Sequence, residues 1–143
     1  SPGWSTEARG AILGLTQRTR PIEILRAAME AIAYRFALIA EALEDLAPGA
    51  TIIASGTALR SSPVWTQIIA DVFGRSVTLS ESHEASVRGA ALLALEAAGK
   101  IKSITGLPTR VEKTFEPNMS RHLRYQEGLK RQQRLYERLI EST

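Results

Sequence analysis

Cysteine is absent from this 143-residue chain, which excludes disulfide frameworks, thiol nucleophiles and thiolate metal sites together. Histidine is almost absent: His83 and His122 are the only two, too few for a histidine-rich metal centre, and no metal site is expected. No apolar run approaches the ~20 residues that span a bilayer. The opening Ser1-Pro2-Gly3-Trp4 has no basic segment leading into an apolar stretch, so neither a membrane partner nor a secretory signal is expected, and the cytoplasm is the expected setting. An excess of one charge is also missing. The 18 Lys and Arg against 15 Asp and Glu give only +3, spread over most of the chain, which argues against a nucleic-acid partner. What remains, 44% hydrophobic and 23% charged residues, is the composition of one compact domain. The chain has no internal repeat and no low-complexity tract.

Residues 3–10 read as a loop, and Ala11-Ile12-Leu13-Gly14-Leu15 as a short edge or buried strand. Over residues 21–46 the apolar side chains Ile22, Leu25, Met29, Ile32, Phe36, Ile39, Leu43 and Leu46 recur at steps of three and four, which predicts a long helix burying that stripe in the core. Pro21 suits its first turn and Pro48-Gly49 ends it. The β-branched run Thr51-Ile52-Ile53-Ala54 predicts a strand. After the small-residue turn Ser55-Gly56-Thr57-Ala58, Ser62 and Pro63 open a second helix. Trp65, Ile68, Ile69, Val72 and Phe73 form its apolar face, and Gly74 stops it in a left-handed conformation. Val77-Thr78-Leu79 supplies another strand, so residues 51–79 form a strand-helix-strand crossover with two parallel strands.

An alanine-rich helix follows over about 84–98, where Gly89 implies a close approach by backbone or ligand. Residues 100–118, with Pro108 and Pro117, read as an irregular connection. A terminal amphipathic helix over 119–141 carries Tyr125, Leu129, Gln132, Tyr136 and Leu139 on one face and solvated arginines elsewhere.

Ligands of an open parallel sheet gather beyond the carboxyl ends of its strands, and the turn 55–58 occupies such a place. Its small side chains let a flat ring or a diphosphate approach bare backbone. The run fits neither a dinucleotide fingerprint nor the lysine-bearing phosphate loop, and a small-residue turn of this kind taken on its own is more often structural than a ligand site.

Taken together, the segments resemble the end of FGGY carbohydrate kinases, members of the actin-like, hexokinase-like ATPase superfamily. The matching residues begin with Ala8-Arg9-Gly10-Ala11 and Gly14-Leu15, continue through the long helix, and include Ala70-Asp71-Val72-Phe73-Gly74-Arg75. The family's glycine-rich adenosine motif resembles Ser55-Gly56-Thr57-Ala58 with Ser62, Trp65 and Gln67, although Ser55 and Thr57 stand where glycine is commoner and the loop 59–62 is longer than in many members. Glu84-Ala85-Ser86-Val87-Arg88-Gly89-Ala90-Ala91 looks like the family's closing helix.

The resemblance implies an α/β fold: the carboxy-terminal lobe of the actin-like, ribonuclease H-like ATPase fold, a small mostly parallel sheet flanked by helices, incomplete on its amino-terminal side. Residues 1–143 are then one nucleotide-binding lobe, whose partners are its own amino-terminal lobe and a sugar or sugar-acid substrate; a homodimer is compatible with it. ATP or ADP is implied as cofactor, with Mg²⁺ held mainly by the other lobe. Ser55, Gly56, Thr57, Ala58, Ser62 and Gln67 are the implied cofactor-binding residues, Trp65 being core rather than ligand. No catalytic residue is expected here; Asp71, Glu81 and Glu84 read as helix or surface residues. The loop 55–59 and the run 84–89 look most like gluconate kinases, then xylulose kinases. The rival readings are a binding module acting through the basic terminal helix and an α/β interaction domain without nucleotide chemistry.

Overall fold

The computed structural model describes residues 10–108 and 110–140, so the loop expected over 3–10 lies outside the described residues except for Gly10. The long helix forms as α1, Pro21–Leu43. Pro21 stands at its start, where a missing N–H costs nothing, and Glu23 turns back to accept the N–H of Arg20 at 2.8 Å. Beyond its end, Gly49 adopts φ 66° and donates its N–H to Glu44, at 2.9 Å. That bond, with Arg75 close by, holds the Glu44 carboxyl below the usual range.

The crossover is present. Strand β1, Ile52–Ala54, leads through a short helix α2, Thr57–Ser61, into α3, Pro63–Phe73, and then β2, Val77–Ser80. β1 and β2 are parallel, with Ile52 opposite Val77. Gly74 closes α3 at φ 65°, ψ 22°, the left-handed geometry expected of it. Helix α4, Ala85–Ala97, strand β3, Val111–Phe115, and helix α5, Met119–Ile140, complete the chain.

Four expectations are corrected. Residues 11–15 form no strand and are all exposed, since no neighbouring ladder is available to pair with them among the described residues. The connection 100–118 contains β3, which pairs antiparallel with β2 in the order β1-β2-β3, so the sheet is mixed. Its alternating Val111, Lys113 and Phe115 carried a strand pattern masked by charge. Nothing lies within 4 Å of a side chain built at Gly89, so no backbone of the described residues makes the close approach expected there.

The fourth concerns α1. Its long apolar stripe is mostly exposed, with Ile22 at 60%, Phe36 at 45% and Leu43 at 50%. The face that packs is the neighbouring one, with Ala33 and Tyr34 buried and Met29 and Ala37 against them. Ala33 lets α3 come close, and the Trp65 indole N–H donates to the Met29 carbonyl at 3.2 Å. The core joins these residues to Ile68, Ile69, Ala70 and Val72 of α3, Val77 and Leu79 of β2, Phe115 and Tyr125.

α5 crosses α1 through Tyr125, which meets Tyr34 edge to face, ring centroids 6.1 Å apart. The Tyr125 hydroxyl donates to Glu30 at 3.0 Å and accepts from Arg26 at 3.2 Å. Gly128 is needed there, because a Cβ would strike the Tyr34 hydroxyl and lie 3.0 Å from its Cζ. No helix among the described residues is long and apolar enough to cross a membrane.

Candidate nucleotide site

The turn expected over 55–58 is shorter, Thr57 and Ala58 opening α2, and this junction of β1 and α2 is bare. Ser55, Thr57 and Ala58 are exposed and Gly56 is half-buried. Gly56 has φ 103°, ψ 151°, a conformation that L side chains rarely adopt, and the space where its Cβ would stand is open for 4 Å. A planar ligand could therefore meet peptide groups there without a side chain between.

The segment behind the turn is tied down. Arg60 donates through Nη1 to the Ser80 carbonyl at 2.6 Å and pairs with Glu112 at 2.7 Å, so one guanidinium joins α2 to the end of β2 and to β3. Thr66, fully buried, donates its hydroxyl to the Leu59 carbonyl at 3.0 Å. Ser62 caps α3, its Oγ accepting the Trp65 N–H at 3.3 Å. Of the implied cofactor-binding residues, Ser55, Gly56, Thr57 and Ala58 thus stand together after β1, and the half-buried Ser62 caps the next helix.

Gln67 stands apart. Its amide nitrogen donates to Asp71 Oδ1 and to the Glu116 carbonyl, each at 2.8 Å, and Glu116 follows the β3 residue paired with Val77, at the opposite edge of the sheet from the turn. Asp71 also departs from its surface reading. It is 1% exposed and accepts from Gln67, from the Asn118 N–H at 2.8 Å and from Arg121 at 3.1 Å, tying α3 to the start of α5. Arg60 and Asp71 were the structurally important residues missed. Asp71 stands four after Gln67 and between Ile69 and Val72, a position that foreshadowed burial; Arg60 lay in a stretch read as loop.

Residues 1–98 match the model of the FGGY family of carbohydrate kinases, C-terminal domain. The chain belongs to this family. Gluconokinase of Bacillus subtilis is 33% identical over 116 residues, which are 80% of this chain and 23% of that protein. Glycerol kinase of Leptospira biflexa is 37% identical over 132 residues, 89% of this chain and 26% of its own. The crystal structure of xylulose kinase from Rhodospirillum rubrum superposes with a TM-score of 0.74 at 27% identity, over 93% of this chain and 28% of that one. The chain therefore spans about a quarter of the length of the curated relatives it matches.

The expected fold, the end of an actin-like ATPase lobe, agrees with these FGGY kinase neighbours. Among the described residues no group of three or more His, Asp or Glu side chains could hold a metal ion.

Proposed function

We propose that this chain is the nucleotide-binding part of an ATP-dependent carbohydrate kinase, which transfers a phosphoryl group to a hydroxyl of a sugar or sugar acid, with gluconate the favoured acceptor. The observation that carries the reading is the open turn at Gly56, a peptide surface facing solvent beyond the carboxyl end of β1. Ser55, Gly56, Thr57 and Ala58 line the adenosine and diphosphate side of the cleft. Ser62 holds the helix behind them and reaches toward the base. Gln67 contributes from a distance, by fixing α3 against the β3–α5 junction. ATP as phosphoryl donor suits the cytoplasmic setting expected from composition.

Phosphoryl transfer rests on positioning and charge neutralisation, with a carboxylate orienting the attacking hydroxyl. In this reading the carboxylate and most of the contacts to Mg²⁺ belong to the amino-terminal lobe that the family resemblance implies. The chain alone should bind ATP weakly and turn over no sugar. Gluconate is favoured by the gluconokinase likeness, 38% identity in the Bacillus licheniformis protein; xylulose is the second choice, supported by the xylulose kinase superposition.

The test is calorimetry with ADP on the polypeptide extended at its amino end by the remaining kinase domain, together with ATP turnover on gluconate, xylulose and glycerol. Gly56→Val, which forces a side chain into the seat, should weaken ADP at least about tenfold, a loss of ~1.4 kcal/mol. Unchanged ADP affinity would remove the seat from the turn, and preferred turnover of xylulose or glycerol would remove gluconate.

A further inference from the structure

Near the turn, at the same carboxyl end of the parallel strands β1 and β2, lies a second feature that the nucleotide reading does not use. The β2–β3 register is irregular between Leu79 and Ser80, and beyond it the Glu81 N–H donates to the Arg110 carbonyl at 3.0 Å. The Ser82 N–H folds back onto Ser80 Oγ at 3.1 Å. This irregular end of the ladder rims a cavity of about 390 Å³ lined by Ser80, Glu81, Ser82, Arg88 and Arg110. A bulge of this kind re-aims side chains at the margin of a sheet.

The two arginines come from different elements, Arg88 from the first turn of α4 and Arg110 from the residue before β3. Neither guanidinium has a hydrogen bond or ion pair among the described residues, whereas Arg26, Arg60, Arg75 and Arg121 each hold a carboxylate. Glu112, the acid nearest in sequence to Arg110, is taken by Arg60. Two guanidiniums facing one cavity, with Glu81 as the only acid on its rim among the described residues, lower their energy by sharing an anion, and their forked donors match the oxygens of a phosphate.

We propose that this cavity binds a phosphate group, with Arg88 and Arg110 as its ligands and the Ser82 hydroxyl as a further donor. The group has two sources. One is the phosphate tail of a nucleotide seated on the turn 55–58, which rests on the function proposed above; β1 and β2 are parallel, and Arg60 ties the segment after the turn to Ser80. The other is free phosphate or a phosphorylated sugar, which does not depend on that function.

The test is a ¹H–¹⁵N NMR titration of the 143-residue chain with inorganic phosphate, adenosine and ADP, ionic strength matched with sodium chloride. Phosphate should shift the amides of 80–82, 88 and 110 and saturate. Arg88→Gln with Arg110→Gln should weaken this at least about tenfold, each lost charged hydrogen bond being sufficient for that, while Arg124→Gln on α5 should leave it unchanged. Shifts equal to those from sodium chloride, or equal loss in the α5 variant, would overturn the proposal. Adenosine should move 55–58 alone, in wild type and double variant alike. If phosphate saturates while adenosine does nothing, the pocket stands and the nucleotide seat falls. ADP binding tighter than phosphate, with both sets shifting, supports the nucleotide as source; ADP no tighter than phosphate supports the free anion or the sugar phosphate.

Discussion

Replacing Gly128 by alanine sets two effects of opposite sign against each other. In an exposed helix the change is favourable by roughly 1 kcal/mol, because alanine restricts the unfolded chain and suits the helix. Here the added methyl group would meet the Tyr34 hydroxyl and stand 3.0 Å from Tyr34 Cζ. Tyr34 cannot swing aside easily: it is 8% exposed and its ring is held edge-on to Tyr125. Forcing a methyl group into a packed core typically costs 1–3 kcal/mol. The contact is closer than van der Waals packing allows, so the upper half of that range applies and the net effect is a destabilisation of about 1–2 kcal/mol. Urea unfolding followed by far-UV circular dichroism measures it. Tyr34→Phe removes the offending oxygen, so the double variant should be more stable than the sum of the single changes by about 1 kcal/mol. A Gly128→Ala chain more stable than wild type would show that α1 and α5 do not pack as described.

Two further outcomes follow from buried polar groups. Asp71→Ala strands the Asn118 N–H and the Gln67 amide and frees Arg121, and should cost about 3 kcal/mol in urea unfolding; Asp71→Asn, which keeps one acceptor, should cost less, and a loss below ~1 kcal/mol for alanine would mean that the three bonds are not made. Burial first, then the charges of Glu30 and Tyr125, push the Tyr34 phenol up to about 12. A tyrosine in the unfolded chain ionises near ~10, so its share of stability is complete below that pH and is lost as pH rises toward the folded value. Denaturation midpoints between pH 9 and 12 should fall, and fall less in Tyr34→Phe; equal slopes would refute the assignment.

The crossover was legible because its signals were local. Thr51–Ala54 and Val77–Leu79 are β-branched or apolar runs too short for helices, Ser62-Pro63 opens α3, and Gly74 closes it. The identity of the buried face of α1 was not local. Periodicity reports which side chains are large and apolar, and that stripe is real. Which face meets α3 was decided by Ala33 and Ala37, whose small size permits approach and whose weak hydrophobicity carries little weight in a pattern. β3 was missed because Glu112, Lys113 and Thr114 face solvent or pair along an edge, so its apolar content is low. In the candidate site the turn itself was readable from its small residues. The separation of Gln67 from it was not, because the Glu116 carbonyl that holds Gln67 away from the turn is joined to it only by tertiary folding.

The clasp made by Arg60 has a consequence for anything that lands beside it. A loop free to wander must be immobilised by its guest, and that lost freedom is subtracted from affinity. With one guanidinium gripping two strand termini at 2.6 and 2.7 Å, the peptide behind Gly56 is already stiff before a visitor arrives. The platform is pre-organised, so loosening Arg60 should raise the dissociation rate of a guest without removing a single atom that touches it.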